Sequence, residues 1–227
     1  KMARAVRNPV VLVLISLSLS LVNVTGFIIQ PSQFITSTLS RSLKRQSLES
    51  TEHEQIVKPK ATDLSKLDIR VGRFLKVTDH PSLEKIYVGT IDLGEETGPR
   101  TICSGVKGKM DKSELLNSNC VVLCNLNPRD LDGVASDGMV FCASNSDKSE
   151  MHLVKPPDGT PVGEMVKFDG HINEPASGNR AAKSLKKVGK YFKTDENGVA
   201  VFTGEPPSPF RTSCGDCYSL QKNGNVS

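Results

Sequence analysis

The stretch from Asn125 to Ser144, NLNPRDLDGVASDGMVFCAS, decides the fold of this chain. It begins with a polar segment that contains Pro128, Gly133 and Gly138, and it ends in an apolar run from Met139 to Ala143. Proline and glycine in a polar segment are typical of loops, whereas a short apolar run bounded by turn residues is typical of a buried strand. The stretch therefore predicts a long loop followed by a strand.

Four more strands are predicted before this loop. Leu67, Ile69 and Val71 alternate with polar residues, which is the pattern of a half-buried strand. The next three strands are short apolar or β-branched runs, from Ile86 to Leu93, from Arg100 to Val106 and from Cys120 to Leu126.

One short helix is predicted between the third and fourth strands, from Lys112 to Asn119, with Ser113 as its N-cap. Five strands with a helix after the third is the order of an OB-fold. The sequence therefore predicts a mainly β protein with a five-stranded OB barrel and a small C-terminal α/β extension.

Two loops of an OB-fold, between strands 1 and 2 and between strands 4 and 5, flank its oligonucleotide-binding face. Here these are the first binding loop, Val77 to Lys85, and the second binding loop, Asn125 to Gly138. Candidate RNA contacts are side chains in or beside these loops that donate to phosphate, sugar or base edges. They are Lys76, Lys85, Asn125, Arg129 and Ser136, with Lys107 and Lys109 as an extension of the basic track.

Structural roles compete with these contacts. His80, before Pro81, has the pattern of a turn residue, and Asn125 can instead fix its loop by bonding to backbone. Gly133 and Gly138 have the pattern of residues that serve backbone geometry at bends.

The quoted stretch resembles the signature loop of the tRNA-binding domain shared by endothelial monocyte-activating polypeptide, yeast synthetase cofactors and the C-terminal appendages of methionyl- and tyrosyl-tRNA synthetases. LDIRVGRF from Leu67, the pair His80-Pro81 and the run from Arg100 to Gly105 follow the family's order. The resemblance implies an OB-fold and binding of tRNA. It also implies that Met139 lies at the RNA-binding surface, although Met139 can instead pack at the start of strand 5. Asp130 and Asp132 depart from the family's basic loop, which predicts weaker binding there.

A basic segment follows a predicted strand from Val162 to Phe168. Between Asn179 and Lys193 there are six basic residues and no acidic residue. Leu185, Val188 and Phe192 recur at helical spacing, so we predict a helix with those side chains in the core. Its exposed side is either a solvated face or a phosphate contact, formed by Lys183, Lys186, Lys187 and Lys190.

The tail from Asn197 to Ser227 resembles the C-terminal extension of the endothelial monocyte-activating polypeptide subgroup. The predicted boundaries are residues 63–170 for the OB domain and 171–227 for the extension. In that subgroup the extension occupies the position of a dimer partner, so the resemblance implies a monomer.

The N-terminal segment is predicted to be a targeting sequence. Basic residues precede an apolar run from Val10 to Val22 that is interrupted by serines, which indicates a signal peptide over residues 1–26. Residues 27–62 begin with Phe27 and have the composition of a transit peptide followed by a disordered linker. This bipartite pattern resembles the presequences of algae with complex plastids and predicts a plastid location. The alternative is a secreted protein with a polar linker. We expect no stable membrane insertion of the mature protein.

The distribution of charge and the positions of the cysteines limit the kinds of binding site that the chain can form. Residues 1–62 carry eight Lys and Arg against three Asp and Glu, which leaves 21 against 22 in the remainder. Any affinity for nucleic acid therefore requires a clustered basic face. The strand cysteines Cys103, Cys120, Cys124 and Cys142 are interpreted as buried apolar residues, and Cys214 with Cys217 has C-x-x-C spacing but no second ligand pair.

No metal site, cofactor or catalytic activity is predicted. The leading hypothesis is a non-catalytic protein that presents tRNA to an aminoacyl-tRNA synthetase or to organellar translation. The alternative is a secreted, cytokine-like or protein-interaction module on the same fold.

Overall fold

A computed structural model of the protein describes residues 61–227. The predictions for the signal peptide and for nearly all of the transit-like segment fall on residues 1–60, which lie outside the described residues. Within the described range, no helix is both long enough and apolar enough to cross a membrane.

The first half of this range forms a nearly closed barrel. After a 3₁₀ turn at Leu64–Lys66, the barrel strands are ordered β3-β2-β1-β4-β7, and all neighbours are antiparallel. The N–H of Asp137 donates to the carbonyl oxygen of Thr101 at 2.8 Å, which brings the segment before β7 against β3. The elements are β1 (Ile69–Asp79), β2 (Tyr87–Asp92), β3 (Arg100–Ser104), α1 (Lys112–Leu115), β4 (Asn119–Leu123), β5 (Arg129–Leu131), β6 (Val134–Ser136) and β7 (Met139–Val140). The prediction of a five-stranded OB barrel with a helix after the third strand is confirmed.

Apolar side chains from every barrel strand fill the interior. Phe74, Ile91 and Ile102 lie in one buried cluster with residues of β4 and α1. Gly89 makes room for this packing, because a Cβ there would lie 2.7 Å from Cε1 of Phe74. The barrel core therefore depends on a small residue directly opposite a large one.

Helix α1 begins where predicted but is shorter and differently capped. Its N-cap is Asp111 rather than Ser113, and the N–H of Asp111 donates to the Glu114 carboxylate at 3.1 Å. Asn117 then adopts a left-handed conformation with φ of +61°, and its N–H donates to Phe74 of β1 at 3.0 Å. The chain leaves the helix because this backbone bond is made to the barrel instead.

The second half of the range contains the extension, residues 171–227, and the segment that leads to it from the barrel. A six-stranded sheet, ordered β12-β11-β10-β15-β8-β9, joins the end of the barrel to the C-terminal strands. A 3₁₀ turn at Gly189–Tyr191 follows the second helix. The elements are β8 (Cys142–Ser144), β9 (Met151–Leu153), α2 (Gly178–Val188), β10 (Phe192–Thr194), β11 (Ala200–Phe202), β12 (Ser208–Pro209), β13 (Arg211–Thr212), β14 (Gly215–Asp216) and β15 (Asn225–Val226).

Two predictions for this half were wrong in detail. The segment from Val162 to Phe168 is not a regular strand, because its backbone bonds are divided between β1, where Val166 donates to Ile69 at 2.8 Å, and β13, where Lys167 donates to Arg211 at 2.8 Å. The predicted helix to Lys193 ends at Val188, since Phe192 pairs with Phe202 in the sheet. Phe192 is nevertheless fully buried, as its spacing predicted.

One apolar cluster spans both halves. Phe141 of the barrel and Phe210 of the extension pack edge to face with ring centroids 5.9 Å apart, and both have no exposed surface. Phe192 and Phe168 also contact Phe210, at 5.2 and 4.8 Å. The domain boundary at residue 170 stays a prediction, and the hydrophobic core runs across it.

Candidate nucleic-acid interface

His80 holds the two binding loops together. It is 5% exposed, and its Nδ1 accepts the backbone N–H groups of Ser82 and Leu83, both at 3.1 Å. Because Nδ1 is an acceptor, the ring proton is on Nε2, which donates to the carbonyl oxygen of Leu131 at 2.8 Å. Leu131 belongs to β5 in the second binding loop. One side chain therefore shapes the first loop and fixes the second loop against it.

Two substitutions separate these roles of His80. His80→Asn keeps an oxygen near Nδ1 for the turn but does not reach Leu131, whereas His80→Ala removes both sets of bonds. We expect losses in free energy of unfolding of about 1 kcal/mol for Asn and about 2–3 kcal/mol for Ala, because buried polar groups left unpaired cost about 1–3 kcal/mol. Urea denaturation measures the difference. Equal losses for both variants would contradict the turn role.

The second binding loop contains a β-hairpin, formed by β5 and β6. Its turn has φ of +50° at Asp132 and +86° at Gly133, the combination of a type I′ turn that Asp-Gly favours. Asp130 supports the turn by accepting the N–H of Gly133 at 3.2 Å. Asp130 and Asp132, whose charges disfavour RNA binding, therefore form and support this turn. The Asp132-Gly133 pair is the sequence pattern from which the hairpin turn could have been predicted.

The side chains predicted from this loop differ in their availability. Arg129 is exposed on β5, and within residues 61–227 its guanidinium has no hydrogen bond or ion pair. Ser136 is buried, and its hydroxyl accepts the N–H of Cys103 at 3.0 Å and donates to Gly138 at 3.4 Å. Met139 is half-buried and packs against the shared core. Ser136 and Met139 thus anchor the end of the loop to the barrel, and their contact with RNA stays a prediction.

Asn125 bonds to backbone, in agreement with the structural alternative. Its Oδ1 accepts the N–H of Asp68 at 3.0 Å. Its Nδ2 donates to the carbonyl oxygens of Lys66 at 2.8 Å and Ala176 at 2.6 Å. The amide therefore ties the start of the second binding loop both to the barrel entry and to the extension.

The basic helix α2 begins beside the second binding loop. The N–H of Gly178 donates to the carbonyl oxygen of Asn125 at 3.1 Å, and Nδ2 of Asn127 donates to Oδ1 of Asn179 at 3.0 Å. The two surfaces that the sequence analysis treated separately are therefore contiguous. An 11-residue helix is about 16 Å long, so α2 extends the loop surface by that length.

The exposed basic side chains along this path form what we call the basic strip. Residues 180, 183, 187 and 190 follow one another at spacings of three and four, so they share a helix face. Arg180 was not among the predicted contacts, although it lies in the same basic segment. The strip consists of Arg129, Arg180, Lys183, Lys186, Lys187 and Lys190, all of which are exposed.

Asp63 anchors α2 to the barrel entry. Its carboxylate accepts Ser184 Oγ at 3.0 Å and pairs with Lys66 at 2.8 Å and Lys187 at 3.0 Å. The bonds to Lys66 and Lys187 lower the pKa of Asp63 from its usual value of 3.8 to about 2, against the opposing effect of burial. Lys187 is thus partly neutralised, whereas Lys183, Lys186 and Lys190 have no ion pair within residues 61–227.

This pairing predicts a stability that depends on pH. Since the pKa of Asp63 is lower in the folded protein than in the unfolded chain, its contribution is complete above about pH 4 and is lost as the pH falls toward 2. Asp63→Asn should therefore be less stable than the unmodified protein at pH 6, and the difference should shrink at pH 2. Urea denaturation across this range tests it. Asp158→Asn, an exposed control, should show no such trend.

A second group of lysines surrounds Asp79, next to His80. Lys107 and Lys112 both pair with the Asp79 carboxylate, Lys107 at 2.8 Å, and both ammonium groups lie about 6 Å from the centroid of the Tyr87 ring. These pairs raise the pKa of Lys107 and lower that of Asp79. Lys112 was not predicted as a site residue. Because the acid neutralises part of this charge, the group has less unpaired positive charge than the basic strip.

The remaining predicted lysines are exposed and separate. Lys109 donates to the carbonyl oxygen of Ser149 at 3.3 Å. The side chains of Lys76 and Lys85 make no hydrogen bond or ion pair to another described residue. No contact joins these three to the basic strip in the described part of the chain, so their role in RNA binding stays a prediction.

The cysteines are free thiols. Cys120, Cys124 and Cys142 are buried as predicted, whereas Cys103 is only half-buried. Burial raises the pKa of Cys124, Cys142 and Cys217 to about 12, so these thiols are unreactive at neutral pH. Cys214 is exposed beside the β13–β14 hairpin. Between residues 61 and 227, no group of three or more His, Cys, Asp or Glu could hold a metal ion.

The barrel and its loops define an OB domain, and comparison with known proteins shows which proteins it is similar to. Residues 69–165 match the family model described as "Putative tRNA binding domain". For this part of the chain, the match confirms the resemblance to the tRNA-binding domain that was noted in the sequence.

Relatives share this domain within longer chains. Over 155 residues the chain is 41% identical to a "Probable methionine--tRNA ligase" of Oryza sativa subsp. japonica. The alignment covers 68% of this chain and 19% of that protein. Over 148 residues it is 35% identical to the "Aminoacyl tRNA synthase complex-interacting multifunctional protein 1" of Cricetulus griseus. That alignment covers 65% of this chain and 40% of that protein. The chain thus spans less than half the length of these two relatives.

A solved structure is similar across more of the fold. The crystal structure of the C-terminal domain of Plasmodium vivax p43 aligns with a TM-score of 0.64 at 29% sequence identity. The alignment covers 72% of this chain and 98% of that chain.

Proposed function

We propose that this protein binds tRNA without catalysing a reaction and presents it to an aminoacyl-tRNA synthetase or to organellar translation. The basic strip, which begins at an OB binding loop and continues along α2, carries the proposal. It supplies six cations on one continuous surface, of which only Lys187 has an ion pair within residues 61–227, and the overall charge of the chain after residue 62 is close to neutral. The family of residues 69–165 and the names of the relatives support tRNA as the ligand.

Recognition of folded RNA fits this surface better than recognition of an extended single strand. The chain has no Trp, and Phe74, Tyr87 and Phe141 are buried in the core. Proteins that bind single strands use successive exposed aromatic rings, and such a row is absent from the binding loops in residues 61–227. Cations placed along a helix and a hairpin instead suit the backbone of a folded RNA.

A titration with bulk tRNA at several salt concentrations tests the proposal. Log affinity should fall linearly with log salt, because lysine and arginine displace counterions from phosphates. Unstructured RNA of equal length should bind more weakly than tRNA. Equal binding would argue against shape recognition, and no binding at low salt would favour a protein-interaction module.

The partner and the oligomeric state follow from the same proposal. A tRNA-binding protein without catalysis acts by raising the local concentration of tRNA at a synthetase, which is an effective-concentration effect. The extension shares its core with the barrel, which supports a monomer because that face of the barrel is covered from within the same chain. Analytical ultracentrifugation tests the monomer, and co-purification with a synthetase tests the partner.

We also propose that residues 1–62 direct the protein to a plastid. The supporting observation is the apolar run to Val22 followed by Phe27 and a segment without acidic residues up to Glu49. A fluorescent reporter carrying residues 1–62 should reach the plastid of a complex-plastid alga, and Phe27→Ala should divert it to the secretory route. Export of both reporters to the medium would support secretion instead.

A further inference from the structure

A groove at the C-terminal end of α2 has a mixed lining that the basic strip alone does not explain. Three lysines line it, Lys186, Lys187 and Lys190, together with two carboxylates, Glu205 and the Asp63 that pairs with Lys187. Thr203 and the rings of Tyr191 and Phe202 also line the groove. Its volume is about 650 Å³, within the range of about 300–1,000 Å³ typical of small-ligand sites.

The Tyr191 ring is an exposed and rigid platform in this groove. It is 38% exposed, and it packs edge to face on Phe202 with centroids 6.0 Å apart. The carbonyl oxygen of Tyr191 accepts both the N–H and the hydroxyl of Thr203, at 2.8 and 3.0 Å. Because the backbone and ring are already held, stacking a ligand on Tyr191 costs little conformational entropy.

The charges around the ring suit a ligand that is both flat and anionic. Lys190 Nζ lies 4.8 Å from the centroid of the Tyr191 ring, so the ring face already attracts a cation. A planar base can replace the lysine on that face and free the ammonium for a phosphate. Glu205 opposes a site for phosphate alone, but a carboxylate accepts the amino groups of bases.

We infer that this groove binds one unpaired nucleotide of the bound RNA. Its base stacks on Tyr191, its exocyclic amine faces Glu205, and its phosphate lies near Lys186 and Lys190, the two lysines of the groove that have no ion pair within residues 61–227. The inference rests on the proposed binding of tRNA and adds to it a position where the RNA must be single-stranded. One such position, rather than a row of rings, is consistent with recognition of a folded RNA.

The test compares substitutions at two tyrosines of equal exposure. In the full chain, Tyr191→Ala should weaken binding of labelled tRNA about tenfold, because loss of stacking with one base costs about 5- to 100-fold in affinity. Tyr191→Phe should bind normally, and Tyr191→Leu, which retains apolar volume, should resemble Ala. Tyr218→Ala is the matched control, since Tyr218 is 39% exposed outside this groove, and it should bind normally.

Fluorescence supplies a readout that a merely structural role would not change. The chain has three Tyr and no Trp, so its emission comes from tyrosine. A short single-stranded oligonucleotide should quench this emission, and Tyr191→Phe should abolish the quenching while Tyr218→Phe retains it. Normal tRNA binding by Tyr191→Ala, or equal losses for Ala and Phe, would overturn the inference and leave tRNA binding intact. Failure of the unmodified protein to bind tRNA would overturn both.

Discussion

Replacing Phe210 with alanine should lower the free energy of unfolding by about 3–5 kcal/mol, the range for truncating a buried aromatic residue. Phe210 has no exposed surface, and its ring packs edge to face on Phe141, Phe168 and Phe192 at centroid distances of 4.8 to 5.9 Å. The cavity left by the substitution would lie where the barrel meets the extension. Urea denaturation followed by circular dichroism measures the change.

The matched control is Leu220→Ala. Leu220 is 74% exposed, so its truncation should change stability by less than about 0.5 kcal/mol. Because the core is shared, both variants should unfold in one transition in which barrel and extension are lost together. Two separated transitions, or a loss below about 1 kcal/mol for Phe210→Ala, would show that the extension is only loosely attached.

Reversing Lys183, Lys186 and Lys190 to Glu should weaken tRNA binding by on the order of 100-fold at low salt, since each lost phosphate contact is worth about 1 kcal/mol and the new charges repel. The slope of log affinity against log salt should become shallower, by an amount that corresponds to the loss of up to about three phosphate contacts. Lys187 is left unchanged because it pairs with Asp63 at 3.0 Å, and reversing it would also disturb the docking of α2. Filter binding or fluorescence anisotropy measures both quantities.

An equal change of charge elsewhere separates a local contact from bulk electrostatics. Arg73, Lys167 and Lys222 are exposed and lie outside the basic strip and the binding loops. Reversing these three to Glu should reduce affinity only a few-fold. If both triple variants lose the same affinity, the strip is not the RNA-binding surface.

The barrel was predictable because its signals are local. Alternation at Leu67, Ile69 and Val71 and the short apolar runs of the other strands report burial directly, and the turn residues between them mark the loops. The segment from Val162 to Phe168 has the same kind of signal, yet it is not a regular strand. Its backbone bonds to both β1 and β13, and Val166 and Phe168 are buried in the core that the barrel and the extension share, contacts that no local pattern encodes.

The candidate site was less predictable because the partners of its polar groups are distant in sequence. Asn125 and Ser136 are residue types that often contact RNA. In the structure, however, Asn125 donates a hydrogen bond to the carbonyl oxygen of Ala176, and Ser136 accepts one from the N–H of Cys103. The basic helix was recognisable from its run of basic residues and from the helical spacing of Leu185 and Val188. Its position beside the second binding loop was not, since that position depends on bonds from Gly178 and Asn127.

The bonds of Asn125 also bear on the order of events during synthesis. The barrel strands have all been translated by Ser144, but the acceptor at Ala176 and the donor at Gly178 belong to residues made later. A growing chain therefore has a complete barrel before its second binding loop has all of its partners. The second binding loop would then reach its final conformation only after residues 176 and 178 have been made and can return to Asn125, so any binding of RNA that needs the complete loop must wait for them.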